Sequence, residues 1–184
     1  MLKNQERSGA FNFALKAIDL YGKFMGFIIL WSFWAVFFSG LESILIGKII
    51  FSFIAIGLSF MPLLVDFNES HATNPLWTGH ARFHLVWQVC ALIFTGFSIL
   101  TLLWIFPSFN NLLISISLIF LWIICFLLAW FSMPLYGGKL TDVNGVPPMN
   151  INLFGRKFEI DRNVHGIVSA TILCTYACMI IFLR

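Results

Sequence analysis

In this chain of 184 residues, 60% are hydrophobic, 17% aromatic and only 10% charged, whereas a soluble domain carries about a quarter charged residues. That content excludes a water-soluble fold, and the net charge of +3 is too modest to indicate a nucleic-acid partner. Residues 1–184 therefore read as a single transmembrane domain, with no segment long and polar enough to fold apart from the membrane.

Residues 8–22, SGAFNFALKAIDLYG, set Phe11, Ala14, Leu15, Ile18 and Tyr21 at helical spacing, with Lys16 and Asp19 off that stripe. The pattern predicts a short amphipathic helix at the membrane surface. The first span covers 24–41 and reads as uncleaved, because charges continue to Lys23 and no small-residue cleavage site follows. Gly40, Glu42 and Ser43 mark a tight turn into a second span, 44–65. Lys48 near its start can reach the interface, and Pro62 near its end can kink it.

The stretch ESHATNPLWTGHARFHLVWQV (69–89) then holds three of the chain's four histidines. Asn74 and Pro75 break the chain, since proline pushes its predecessor out of the helical region. Thr78 is placed to cap a third span over 79–106. The turn PSFNN leads to a fourth span, 112–136, which ends at YGGK. A polar loop, 139–162, carries the turn-rich DVNGVPPMN and the weakly alternating LFGRKFEI, a short hairpin arm or an interfacial segment. The fifth span is 163–183. The fold class is thus all-α: an integral membrane helical bundle of about five transmembrane helices plus a short N-terminal amphipathic helix. The four cysteines, Cys90, Cys125, Cys174 and Cys178, all lie in apolar runs and read as packing residues.

Five spans put the N-terminus, the 66–79 segment and the 139–162 loop on one side. That side and the adjoining helix ends hold Lys3, Arg7, Lys16, Lys23, Arg82, Lys139, Arg156, Lys157 and Arg162, against Lys48 and Arg184 opposite. Basic residues favour the cytoplasmic face, so the N-terminus and the histidine segment are expected there. The sequon at Asn68 would then go unglycosylated.

His80 and His84, four apart, share a helix face, and Gln88 extends that line one turn deeper. Asp161 and His165 repeat the spacing on the fifth span, with Ser169 and Tyr176 further along. Asp66, Glu69, His71 and Asp142 lie in the loops above. Polar groups in a bilayer turn inward and find partners, so two such lines entering from one face predict a polar interfacial pocket. Imidazoles with one or two carboxylates are a usual ligand set for zinc or non-haem iron. His80, His84, His165 and Asp161 are the expected metal ligands. Glu69, Asp66 and His71 are expected as catalytic proton carriers or supplementary ligands. Gln88, Trp77, Arg82 and Tyr176 would face a substrate. The contrary reading makes the same residues a structural polar network, with His80 and His84 bonded to loop groups and Arg82 paired with a carboxylate or a lipid phosphate.

Asn74, Pro75, Trp77, His80, Ala81, Arg82, Phe83 and His84 together spell Asn-Pro-x-Trp-x-x-His-Ala-Arg-Phe-His. This stretch resembles a family of small polytopic membrane proteins of unknown function that carries the motif, with Arg or Lys before Phe, at the opening of a span. The resemblance implies a multi-pass fold and brings no activity with it. Membrane desaturases use eight or more histidines, twice what this chain has. Zincin proteases need a glutamate where Ala81 stands. Membrane ceramidase-like hydrolases are similar in ligand count, and five-span sterol isomerase and sigma-receptor-like proteins are similar in size and span number.

Three functional readings follow. The first is a metal-dependent enzyme, zinc or iron, acting on a lipid or other hydrophobic small molecule. The second is a metal-free isomerase or ligand-binding module, and the third an accessory subunit of a larger membrane complex. Membrane lipids are partners in all three.

Overall fold

The computed structural model describes residues 8–141, 145–153 and 155–183. Asp142 of the polar loop, and Lys3, Arg7 and Arg184 of the charge count, lie outside the described residues. In chain order the elements are α1 (Gly9–Phe38), α2 (Ser43–Asp66), α3 (Gly79–Trp104), α4 (Phe109–Phe131), α5 (Met133–Tyr136), β1 (Met149–Leu153), β2 (Arg156–Ile160) and α6 (Arg162–Leu183). Among the described residues, five helices are long and apolar enough to cross a membrane: α1, α2, α3, α4 and α6. The protein is an integral, multi-pass, all-α membrane protein.

Local chemistry sets most helix ends. The Ser8, Thr78 and Ser108 side chains accept from the backbone N–H of Phe11, Ala81 and Asn111, closing the first turns of α1, α3 and α4. The amphipathic stretch 8–22 is helical, and it runs without interruption into the first span as one helix of 30 residues. Its glycines, Gly9, Gly22 and Gly26, do not interrupt it, since glycine lowers helix stability without ending a helix as proline does. At 1.5 Å per residue α1 is about 45 Å long, well beyond the hydrocarbon thickness. α2 continues through Pro62 to Asp66. The weakly alternating LFGRKFEI segment contributes to an antiparallel hairpin, in which Met149 pairs with Ile160 and Leu153 with Arg156.

α2 is the hub. It packs against α1, α3, α4 and α6, and its buried residues include Ile46, Ile50, Phe51, Ile54, Ala55, Leu58 and Ser59. Lipid tails are as apolar as leucine, so helices in a bilayer associate through close packing and interhelical hydrogen bonds. Glycines supply the close packing at three of the interfaces around α2. A Cβ at Gly47 would strike Ile181 of α6, one at Gly57 would strike Tyr21 of α1, and one at Gly96 of α3 would strike Ser59 and the Ala55 carbonyl of α2. Polar bonds reinforce them: Tyr21 donates to the Phe53 carbonyl at 2.9 Å and Ser59 to the Ile93 carbonyl at 3.2 Å.

The two ends of the bundle are distinct. At one end Ser8 donates through its N–H and hydroxyl to the Glu69 carboxylate, at 2.8 and 2.7 Å. At the same end Arg162 of α6 pairs with Asp19 of α1 at 3.0 Å. At the other end Lys48 lies 4.2 Å from the Trp104 ring centroid, and the Trp104 indole donates to Ser52.

Candidate functional site

The α2–α3 connection is a closed, self-bonded loop. Asn68 donates to the carbonyls of Leu64 and Val65 at 2.9 Å each, satisfying the end of α2, while its own carbonyl accepts from Ser70 N–H. Ser70 donates to Val65 O. Asn74, 1% exposed, donates to the Ser70 carbonyl at 2.9 Å and accepts from Leu76 N–H at 3.0 Å. Arg82 reaches back from α3 and donates through Nε and Nη2 to the Trp77 carbonyl. Buried polar groups are costly unless bonded, and here they are bonded to the loop's own backbone. Asn74 and Arg82, both in the Asn-Pro-x-Trp stretch, thus brace the loop. The Trp77 ring stands edge-on to His71.

A half-open pocket of about 170 Å³ lies between α1, α2, α4 and α6. Its walls are mostly apolar, with Ile18, Met25, Leu58, Met61, Trp122 and Phe126 among them. Its polar groups are Asp66 from the end of α2, Arg162, Asn163 and His165 from the start of α6, and Tyr21 from α1. The Tyr21 hydroxyl is already committed to the Phe53 carbonyl, and its ring stacks on Phe53 at 4.6 Å. Asp66 touches His71 at 3.4 Å, and His71 Nδ1 shares a 2.7 Å hydrogen bond with the Ser70 hydroxyl. The Arg162 guanidinium is held by Asp19 and by the carbonyls of Pro147 and Pro148. Its Nε is buried with no hydrogen-bond partner among the described residues.

The expected site residues divide into separate groups. Asp66 and His71 meet, and Asp66 and His165 both line the pocket. Glu69 binds Ser8 at the start of α1. Asp161 accepts from the N–H of Asn163 and Val164 and so caps α6. His80 and His84 face each other on α3, Nε2 to Nε2 at 3.0 Å, and both are exposed. Gln88 is exposed, and Tyr176 packs against the core. His80, His84, His165 and Asp161 are not brought together within one chain. Among the described residues no three or more His, Cys, Asp or Glu side chains gather as a metal site. The reason is the position of α2, which packs against both α3 and α6 and keeps the two polar lines apart. No α3 residue lines the pocket.

Tyr21, Arg162 and the wall glycines Gly22, Gly57 and Gly166 are pocket residues that the reading of polar stripes did not single out. The usable signal was small residues inside spans. Gly166 in particular has nothing within 4 Å of where a Cβ would stand. Fold and site together define a multi-pass helical membrane protein with a lined cleft at the loop-rich end of its bundle. Compared with family models, curated proteins and solved structures, the chain matches none.

Proposed function

We propose that the pocket between α1, α2, α4 and α6 receives a hydrophobic small molecule whose polar head accepts hydrogen bonds. This is the metal-free ligand-binding reading of the chain. The observation that carries it is the contrast within the cleft: apolar walls, with the unpartnered buried Nε of Arg162 among its polar residues. A buried donor without an acceptor costs roughly 1–3 kcal/mol, and a small shift of the guanidinium toward a head group with an oxygen acceptor would remove that cost. A lipid-like amphiphile suits both halves, with its head near Arg162 and His165, the first part of its chain along Met25, Leu58 and Phe126, and the rest leaving through the open side of the cleft. Asp66 lines the cleft and also touches His71 on the loop. That contact supports proton exchange between cleft and loop, the step an isomerase acting on the bound molecule would use.

Gly166→Leu tests this reading. The leucine would enter open space in the cleft, and replacing a helical glycine favours the helix by about 0.8 kcal/mol. The variant should stay folded, with an unchanged or higher unfolding midpoint. It should lose photo-crosslinking to a diazirine-bearing fatty acid that labels the wild-type protein at cleft residues. Equal labelling of cleft residues in both proteins, or labelling only on the outer helix faces, overturns the reading.

A further inference from the structure

His80 and His84 sit outside the cleft, and their arrangement has its own logic. The rings meet edge to face, with centroids 4.5 Å apart and Nε2 atoms 3.0 Å apart. Two imidazole nitrogens binding one tetrahedral ion at about 2.05 Å stand about 3.3 Å apart. Replacing the shared proton by a metal ion therefore needs a shift of only a few tenths of an ångström. A single chain supplies two donors at this point, whereas zinc in a protein site takes four ligands.

The same face of α3 indicates the source of the other two. Below the histidines, Gln88, Ala91, Thr95 and Ser98 continue the line at steps of four, three, four and three. All but the half-buried Thr95 are exposed, and only 17% of this span is buried inside the chain. That spacing is the seam of a left-handed helix pair, and small residues on it allow close approach. Gln88 lies nine residues into α3 and has no hydrogen-bond partner among the described residues, so in hydrocarbon its amide needs one. A glutamine amide both donates and accepts, so it is complementary to its own copy across a two-fold axis. The same axis would bring a second His80–His84 pair opposite the first.

We propose that two copies of this chain pair along α3 and hold one zinc-class divalent ion between His80 and His84 of each. The site is incomplete without the second copy. It lies at the start of the span, within reach of ions from the aqueous side, and Gln88 bonds to its counterpart one turn below.

Cobalt(II) and zinc(II) are the probes, added to the full-length, untagged protein in detergent. The expected result is one ion per two chains, the strong visible bands of tetrahedral cobalt, and a dimer fraction that rises about tenfold or more with zinc and falls with chelator. His80→Ala and His84→Ala, both on exposed positions, should each abolish the cobalt bands and the zinc-dependent dimer. Gln88→Leu should weaken the dimer in zinc while leaving one ion per two chains at saturation. Ala91→Cys in a Cys90→Ser background should form an interchain disulfide, and Ile124→Cys on α4 in the same background should not. One ion per chain, no bound ion, a dimer indifferent to zinc, or equal cross-linking at both positions would each overturn the proposal.

Discussion

The residues from Asn74 to His84 do two different jobs, and single substitutions should separate them. Removing the Asn74 amide leaves the Ser70 carbonyl and the Leu76 N–H without the partner that the buried Asn74 side chain gives them. Asn74→Ala is expected to cost about 2–3 kcal/mol, read as a lowered unfolding midpoint in micelles. His84→Ala, on an exposed ring bonded only to its neighbour His80, should change metal-free stability by less than about 0.5 kcal/mol. Equal losses in the two variants would mean that the histidines brace the loop as well. Part of this division was legible beforehand. Thr78 reads as a cap from its place before an apolar run, and it does cap α3. The sequence offers Arg82 as a contact for a substrate, a carboxylate or a lipid phosphate, and within the chain its donors go to the Trp77 carbonyl five residues back. A guanidinium reaches any acceptor nearby, and sequence spacing alone does not rank a backbone carbonyl against a carboxylate.

For the helices, apolar runs and their punctuation mark where spans begin and end, because a bilayer demands uninterrupted backbone bonding over about 20 residues. They do not mark which helices are neighbours, since every span is apolar nearly all round. The interior glycines were the available signal, and even these reveal a close approach without naming the partner. Gly96 shows the energetics. Its absent side chain is what lets α3 meet the Ser59 side chain and the Ala55 carbonyl of α2. Gly96→Ala should therefore destabilise the bundle by about 1–3 kcal/mol through overpacking. Adding Ser59→Ala should recover only part of that loss, because the Ala55 carbonyl stays in place. The coupling is measured by a double-mutant cycle on unfolding in micelles. Full recovery would show that the serine side chain alone sets the helix separation, and no loss would show that α2 and α3 can part freely. The split of the two polar lines belongs to this scale too. His80 and His84 on one helix, and Asp161 and His165 on another, look convergent in a list of spans, until α2 is found packed against both helices.

At the scale of the whole molecule, the contacts of Ser8 with Glu69 and of Asp19 with Arg162 tie the start of α1, the α2–α3 loop and the start of α6 to one end. Among the described residues that end and its adjoining helix turns carry Lys16, Lys23, Arg82, Lys139, Arg156, Lys157 and Arg162, and the other end carries Lys48. The bias in topology follows Lys and Arg and is only weakly offset by acids, so the Asp19 partner of Arg162 does not erase its contribution. By that rule the loop-rich end, and with it the mouth of the cleft, is expected to face the cytoplasm. The sequon at Asn68 is a poor reporter of this. Asn68 is buried and its amide nitrogen is spent on the Leu64 and Val65 carbonyls, so a glycan there is incompatible with the folded loop on either side of the membrane. Thiol access is the better measurement. With Cys90, Cys125, Cys174 and Cys178 replaced by serine or alanine, Thr73→Cys and Asn110→Cys place single thiols at exposed positions on opposite ends. A membrane-impermeant maleimide applied to intact cells should label the Asn110→Cys protein and spare Thr73→Cys, and inverted vesicles should reverse the pattern. Labelling of Thr73→Cys from outside would turn the molecule over, putting the cleft mouth and the histidine pair on the side of the membrane away from the cytoplasm.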